Sequence, residues 1–496
     1  MSTHVPRLSK TRFQAGLQCH KCLWLDCHAP WLADPVTEAK QAVFDQGHQV
    51  GALAREFFSG GVMVAEDHTQ SEQALETTRR LLGEGTRCLY EGAFWHDGVL
   101  VRADVVFRGD PGGWTLVEVK SSTSVKPEHV SDLAIQAYVL RGAGLPVTST
   151  RLLHLNNTYV YGGGPYDLGR LFTLVDLTSE VAAYLPQVPG LLLGMRRMLA
   201  GPVPELLIGR RCDSPYQCRY YGHCHRFLPE HPVTEIPRLS DELLTSLLAN
   251  GYHSICDVPL DYPGLTPSQQ SACYVARTGQ PRFDPALEHA LGELHEPLHF
   301  LDFETYNPAL PLHAGTRPYQ VLPVQWSCHT LDEGLRHAEF IHTDGSDPRR
   351  AFAESLLAVL GPAGAAGRGP IVVYTHYENT VLDSLGRDLP DLAGPLAALR
   401  ARLFDLEKVI KAYVQHPEFH GRTSLKSVVP ALVDDVSYQD LAVPNGEVAQ
   451  LRWAEAVYGD IDDDERRAIF ADLLGYCKTD TLALVRLYEE LRSRCR

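Results

Sequence analysis

Hydrophobic and polar positions fall into three blocks along the chain. In the first, Thr37–Phe58 has the spacing of an amphipathic helix, with Gly47 and Gly51 placed for close packing. Gly98–Phe107 and Trp114–Lys120 are β-branched runs bounded by Gly and Pro, which predicts two strands. Asp110-Pro111-Gly112-Gly113 between them is a turn sequence, so the two runs should form a hairpin. A helix over Ser131–Leu140 and short strands at Leu152–Leu155 and Leu171–Val175 follow.

The pattern changes near His231. Ile236–Leu294 reads as short helices interrupted by Pro259, Pro263, Pro267 and Pro281. Leu243–Asn250, Gly251 and Ile255 resemble a small helical hairpin, a device that can offer backbone amides to DNA phosphates. From Pro297 onward the pattern is α/β. Strands are expected at Leu298–Phe303, Val321–Cys328, Ala338–Ile341 and Ile371–Tyr374. Helices are expected at Phe352–Leu360, Asn379–Leu385, Leu403–Tyr413, Ser424–Leu432, Trp453–Val457 and Glu465–Leu491. This predicts a mixed sheet covered on both faces, and three segments: 1–230, 231–296 and 297–496.

Composition adds limits. A chain of 496 residues holds two or three domains at roughly 100–200 residues each. Its 44% hydrophobic and 21% charged content is that of an ordinary folded protein. No apolar run approaches the roughly 20 residues of a membrane helix. Met1–Arg12 is basic but has no hydrophobic core segment, so it is not a secretory signal. A cytoplasmic protein with no membrane partner is expected. The net charge of −16 argues against a generally sticky polyanion binder. The first 230 residues are nearly neutral, however, with 22 Lys+Arg against 23 Asp+Glu. Arg196, Arg197, Arg210, Arg211, Arg219 and Arg226 form a basic strip that could hold phosphates. Twelve cysteines without a signal peptide point to reduced thiols, and to metal or cluster ligation rather than disulfides.

The candidate chemistry lies in three places. Asp302 and Glu304 are i and i+2 on a predicted strand and share a face. Tyr476 and Asp480 are i and i+4 on a predicted helix and also share a face. Glu378 follows a buried strand and offers a fourth carboxylate, with Asp405 as its rival. Acids gathered on a sheet edge repel one another unless cations lie between them. Two Mg²⁺ or Mn²⁺ ions held there can hydrolyse phosphodiesters, with Tyr476 orienting the attacking water. Leu301-Asp302-Phe303-Glu304-Thr305 and Tyr476-x-x-x-Asp480 resemble the first and third motifs of the DEDD exonucleases, in the tyrosine-bearing branch. That resemblance implies a ribonuclease-H-like fold. Thr375-His376-Tyr377-Glu378 departs from the middle motif in carrying Glu and lacking the usual Asn.

In the first block, Asp104 lies on one strand of the hairpin, and Glu118 and Lys120 share a face of the other. Two carboxylates can ligate divalent ions, and a lysine can position water or stabilise transition-state charge. Asp104…Glu118-Val119-Lys120 resembles the restriction-endonuclease-like, RecB-type nucleases. Asp132, Gln136 and Tyr138 resemble the helix motif that follows, although Tyr138 comes two residues after Gln136 rather than four. The histidine of the family's early helix is expected at Gly51, whereas the chain has His48.

Cys212, Cys218 and Cys224 cluster late in this block, and Cys19 lies far upstream in Gln18-Cys19-His20-Lys21-Cys22. One early and three late cysteines bracketing a RecB-type core resemble the iron–sulfur nucleases, including the CRISPR-associated and AddB-type enzymes. Four thiolates suit a 4Fe–4S cluster or, alternatively, zinc. Cys22, Cys27 and His223 are spare ligands, and the other cysteines read as buried thiols.

The whole chain resembles a bacterial two-nuclease family: a RecB-like iron–sulfur half joined to a ribonuclease-H-like domain of unknown function. The resemblance implies a metal-dependent DNA exonuclease favouring single-stranded ends, in repair, recombination or defence, with a helicase as a possible partner class. Two alternatives stay open. The C-terminal half could trim RNA, or one half could be a non-catalytic nucleic-acid-binding module.

Overall fold

The computed structural model describes residues 6–109, 112–362, 368–438 and 441–495. Asp110 and Pro111 of the expected turn lie outside them. The chain forms two compact units of mixed α/β structure: Met1–Phe227 with Ala309–Tyr319, and Leu228–Pro308 with Gln320–Arg496.

The first unit is built on a seven-stranded sheet. Its strands are β1 (Leu8–Ser9), β2 (Val62–Met63), β3 (Cys88–His96), β4 (Val99–Arg108), β5 (Trp114–Lys120), β6 (Val147–Leu155) and β7 (Phe172–Asp176). The order is β2-β3-β4-β5-β6-β7, with β1 parallel to the start of β4. β4 and β5 are the expected antiparallel hairpin, with Arg108 opposite Trp114. β5 and β6 run parallel, and the helix Pro127–Gly142 makes the crossover between them. That helix begins earlier than the pattern predicts because Pro127 occupies its first turn and His129 Nδ1 accepts from Lys126 N–H at 3.1 Å. It is buried nearly throughout, its Leu133, Ile135, Ala137 and Leu140 packing with Val101, Ala103, Leu116 and Leu152. The helix Glu38–Phe57 covers a second core with Val105, Val117 and Leu153.

β3 escaped the sequence reading. It contains Gly92 and a left-handed Glu91 (φ 54°), which interrupt the strand pattern. The helical hairpin Lys10–Gln18/His20–His28 and the helices Ser71–Gly83 and Val188–Leu199 were also not predicted. The short return Ala309–Tyr319 joins this unit through Tyr161 N–H to the Thr316 carbonyl (2.9 Å), Gly315 N–H to the Tyr161 carbonyl (2.7 Å) and the Tyr166 hydroxyl to the Pro311 carbonyl (3.0 Å).

In the second unit, β8 (Arg282–Phe283) pairs with a late strand described below. The main sheet has β9 (Leu298–Tyr306), β10 (Leu322–Asp332), β11 (Gly334–Ile341), β12 (Ile371–Val373) and β13 (Leu403–Asp405), in the order β11-β10-β9-β12-β13. The pairs β11/β10 and β10/β9 are antiparallel, and β9/β12 and β12/β13 are parallel. β14 (Val414–Gln415) is the partner of β8. Leu403–Tyr413, expected as one helix, is strand β13 followed by the helix Leu406–Tyr413. Leu403 and Phe404 complete the sheet beside Ile371 and Val372, and Asp405 caps the helix by accepting from Lys408 N–H.

Both faces of this sheet are covered. On one, Leu298 and Phe300 pack with Leu484, Leu487 and Tyr488 of the long helix Asp463–Arg494. On the other, Leu301 and Phe303 pack with Phe352, Leu356 and Leu382. The alternation of β9 therefore sends Asp302 and Glu304 to the face of the long helix, where its apolar row gives way to acids. Among the described residues, no helix is long and apolar enough to cross a membrane.

Candidate functional site

At the end of β9, Asp302, Glu304 and Asp480 each offer a carboxylate oxygen, and these lie within 4.8 Å of one another. Asp480 comes from the long helix, one turn beyond Tyr476, and is 5% exposed. Burial pushes the Asp302 carboxyl well above its ordinary range, and the charges of Asp480, Glu304 and Glu378 push it further. Burial and Asp480 push Glu304 up to about 8. Asp480 is raised by burial, partly offset by the charge of Lys426 and by the nearby Tyr438 and Tyr476 hydroxyls. This is the signature of acids crowded together with too little positive charge.

Glu378 stands in the first turn of the helix Tyr377–Asp388 and is almost fully buried. Burial and Asp405 raise it to about 8, with the neighbouring Asp302 moderating the rise. Asp405, its rival, spends its carboxylate on the helix cap and on Lys408, 3.3 Å away. Asp480 Oδ1 and Glu378 Oε2 are buried without a hydrogen-bond donor. Two unsatisfied acceptor atoms in one acidic group suit a cation's positive charge.

Tyr476 is held from one side. Lys426 Nζ donates to its hydroxyl and to the Pro444 carbonyl, both at 2.7 Å. The same ammonium lies over the Tyr476 and Tyr438 rings, 4.5 and 5.3 Å from their centroids. Gly446 approaches so closely that a Cβ there would stand 3.5 Å from Glu304 Oε2. Cys477 Sγ lies 3.7 Å from Asp302 Oδ2. Lys426 and Tyr438 were not foreseen. A lysine opening a short helix carries no motif, and only folding places it beside the acids.

The first unit brings its predicted residues together as well. Glu118 and Lys120 continue the row of Trp114 and Leu116 toward the helix Pro127–Gly142, which supplies Asp132 and Gln136. Glu118 is 1% exposed. It accepts from Lys120 Nζ (2.6 Å), Lys10 Nζ (2.9 Å) and Gln136 Nε2 (2.7 Å). Burial opposes its charge, but Lys10 and Lys120 overcome this and hold its pKa far below the usual range. Asp104 accepts from Val119 N–H at 2.7 Å. Burial and the neighbouring Glu118 raise it to about 7. Lys120 also reaches Asp132 Oδ2 at 2.8 Å. Lys10, unforeseen, lies between Glu118 and Asp132, 3.8 Å from the latter. Tyr138 turns elsewhere, donating to Asp97 Oδ2 at 3.0 Å. Of the basic strip, Arg196 pairs with Asp97 and Arg219 with Asp26.

Cys19, Cys212, Cys218 and Cys224 line one pocket, together with Cys22, Lys21, Arg211 and Tyr221. The segments that carry them are fastened to each other. Gln18 Nε2 donates to the Arg211 and Tyr216 carbonyls, and Gly222 N–H donates to Asp34. The neighbouring Cys22 thiol holds Cys218 down to about 7, against burial. Burial raises Cys212 and Cys224, with the charges of Cys218 and Cys19 adding to it in both. Thiols lining one pocket are the donor type of a thiophilic metal or cluster, and Cys22, one of the spare ligands named from the sequence, joins them there. Cys27 does not line this pocket and lies near Arg12 and Asp26.

Within 231–296, Leu244, Leu247 and Ile255 pack in a small core against Val233, Ile236, Leu265 and Cys273, while Leu287, Leu291 and Leu294 join the core of the main sheet. The expected hairpin is present as the helix Asp241–Ala249, Gly251 (φ 83°) and the turn Ile255–Asp257.

Residues 299–424 match a domain of unknown function, DUF2779. Asp302, Glu304, Glu378 and Asp405 fall within that match, and Tyr476 and Asp480 lie beyond it. No curated protein matches the chain. Similar solved structures include an alkaline exonuclease from Laribacter hongkongensis, 13% identical, covering 39% of this chain and 90% of that one at a TM-score of 0.23. Another is SSO0001, 14% identical, covering 45% of this chain and 87% of that one at a TM-score of 0.21. At such TM-scores neither carries an argument about function.

Proposed function

We propose that the protein is a metal-dependent nuclease that hydrolyses phosphodiester bonds, with DNA ends as the substrate. The observation that carries this reading is the meeting of Asp302, Glu304 and Asp480 within 4.8 Å, from elements far apart in sequence, with Lys426 as the facing cation. A fold does not bury three mutually repelling acids for stability. Asp302, Glu304 and Asp480 would hold Mg²⁺ or Mn²⁺, with Glu378 beside Asp302. When bound, such ions supply Lewis-acid stabilisation of charge on the phosphoryl group and acidify water.

The chain's own residues do the rest. Because Lys426 donates to the Tyr476 hydroxyl oxygen, the single Tyr476 proton is directed at Asp480 or at a water beside it. Burial and the nearby carboxylates raise the Tyr476 pKa, so it remains a donor and orients water rather than removing its proton. The five-stranded mixed sheet with helices on both faces supports the ribonuclease-H-like, DEDD-type reading of this unit.

The grouping of Asp104, Glu118, Lys120 and Gln136 on one hairpin and its crossover helix supports a RecB-type site in the first unit. Lys120 there would position water or stabilise charge at phosphorus. The four-cysteine pocket would hold a 4Fe–4S cluster or zinc as a staple between the N-terminal hairpin and residues 212–224. A specific observation favours a second reading of this unit. Lys10 and Lys120 already neutralise Glu118, as they would in a non-catalytic nucleic-acid-binding module.

The test is digestion of matched single-stranded DNA, duplex DNA, RNA and hybrid by full-length protein with Mg²⁺ or Mn²⁺. Asp480→Asn should remove one activity and Glu118→Gln another. If DNA is cut equally well by both variants and by their combination, the nuclease assignment is wrong. Loss with Asp480→Asn alone would favour the binding-module reading of the first unit.

A further inference from the structure

The second unit contains another group of potential ligands, none of which belongs to the acidic cluster. His231, Glu235 and His420 each present a ligand atom, and these lie within 4.8 Å of one another. His231 Nδ1 is 3.2 Å from Glu235 Oε2, and His420 Nδ1 is 2.9 Å from Glu235 Oε1. The two imidazoles are stacked, with centroids 5.0 Å apart. We infer that these three residues form a structural site for a zinc-class divalent ion, tying the start of the second unit to the loop His416–Gly421.

Three features support this. The donor set is two imidazoles and one carboxylate, which suits zinc and its transition-metal neighbours and not Mg²⁺, whose preference is for oxygen. The positions are also fixed by the backbone rather than by the side chains alone. His231 is held by its carbonyl, which accepts from Ile255 N–H (2.9 Å) and the Ser254 hydroxyl (2.9 Å). His420 has a left-handed backbone (φ 48°, ψ 42°), which is costly for a residue with a Cβ and persists only where its surroundings impose it. Gly421 follows with φ 70° and presses so closely on Glu235 that a Cβ there would stand 2.2 Å from the Glu235 carbonyl oxygen.

The third feature is the environment. His231 and Glu235 side chains are each 14% exposed, while His420 is 42% exposed. The group is thus mostly withdrawn from water but open on one side, leaving room for a fourth, solvent ligand. The remaining His420 nitrogen, Nε2, faces Glu418 Oε2 at 3.8 Å. A carboxylate behind a ligating imidazole orients the ring and strengthens it as a donor. The loop then leads through Thr423, whose carbonyl accepts from the Tyr374 hydroxyl at 2.6 Å, into the helix that carries Lys426. An ion here would fasten the segment that delivers this lysine to Tyr476.

The test compares full-length wild-type protein with His420→Asn and His231→Gln, all stripped with chelator and titrated with Zn²⁺. Asparagine tolerates the left-handed backbone, so His420→Asn removes the donor while keeping the turn. The cysteine pocket is common to all three proteins and cancels in the comparison. Wild type should bind one equivalent more zinc than either variant and gain thermal stability from it that the variants do not. Co²⁺ bound at this site should show ligand-field absorption without added thiolate charge transfer. Equal zinc uptake by wild type and a folded variant, checked by circular dichroism, would overturn the site and leave a hydrogen-bonded His–Glu–His group. Should one variant fail to fold, the other decides the question in the same way.

Discussion

Lys426 Nζ donates to the hydroxyl of Tyr476 at 2.7 Å and lies 4.5 Å from the centroid of the same ring. One cation thus fixes both the ring and the direction of its hydroxyl hydrogen, and also moderates Glu304 and Asp480. Tyr476→Phe deletes the oxygen and leaves the packing. It should lower single-turnover cleavage at saturating Mg²⁺ by about 10–100-fold, the scale of losing an orienting partner around a metal. Asp302→Ala should be more severe and abolish cleavage by this unit. An unchanged rate in Tyr476→Phe would remove the tyrosine from the positioning of water.

The acidic group makes stability depend on pH and on metal. Glu304 and Glu378 are each raised from 4.5 to about 8, chiefly by burial. The folded chain therefore keeps protons that the unfolded chain has released, and stability falls as pH rises. The contribution is fully present below the unfolded value of 4.5 and is lost as pH passes through about 8. Asp104, raised to about 7, acts in the same direction. In chelator, Tm should drop between about pH 6 and pH 8.5. Mg²⁺ should restore it, with the larger gain at the higher pH. Glu304→Gln with Glu378→Gln should flatten the profile, and an equally steep profile in that double variant would locate the effect elsewhere.

Much of this was legible because the informative residues sit on regular elements. A strand reverses its side chains at every residue, so Asp302 and Glu304 had to share a face, as did Glu118 and Lys120. A helix repeats every three to four residues, which set Tyr476 beside Asp480. What could not be read depends on tertiary placement. Lys10 meets Glu118 across more than a hundred residues. Cys22, on the helix His20–His28, comes beside Cys218 only through a tertiary contact spanning nearly two hundred residues. The return of Ala309–Tyr319 to the first unit rests on hydrogen bonds with Tyr161 and Tyr166 and on the packing of Ala309, Leu310 and Tyr319, pairings that no local pattern announces. β13 was read as helix because Leu403-Phe404 is apolar and short, a length at which period does not separate strand from helix.

Lys10 should prove structural as well as electrostatic. It donates to both Glu118 oxygens, at 2.9 and 3.0 Å, and its side chain is 21% exposed. Lys10→Met keeps the aliphatic stem but leaves a buried carboxylate with one cation fewer. Loss of a hydrogen bond to a charged group should cost roughly 1.5–3 kcal/mol, read from denaturant unfolding. If the first unit binds a divalent ion between Asp104 and Glu118, the variant should bind it more tightly, since a competing cation is gone. Unchanged stability and unchanged metal affinity together would mean that Lys10 is displaced from Glu118 in solution.

The cysteine pocket gives the sharpest spectroscopic test. Cys19, Cys212, Cys218 and Cys224 line one cavity, whereas Cys27 does not. Protein purified without oxygen should carry iron and sulfide and absorb broadly in the visible. Cys19→Ser and Cys218→Ser should be colourless, and Cys27→Ser should keep full colour. Cys22→Ser separates two ligand sets, because Cys22 lines the same pocket as Cys19 and Cys218. Retained colour there assigns Cys19 as the fourth ligand, and lost colour assigns Cys22. A cofactor there would also bridge the hairpin Lys10–His28 to residues 212–224, so colourless variants should exchange the amides of His20–His28 faster than wild type. Colourless wild-type protein holding a zinc that is lost in Cys19→Ser and Cys218→Ser, and kept in His420→Asn, would establish the zinc alternative. Protein with neither metal, and with equal exchange in every variant, would leave the four cysteines as plain buried thiols.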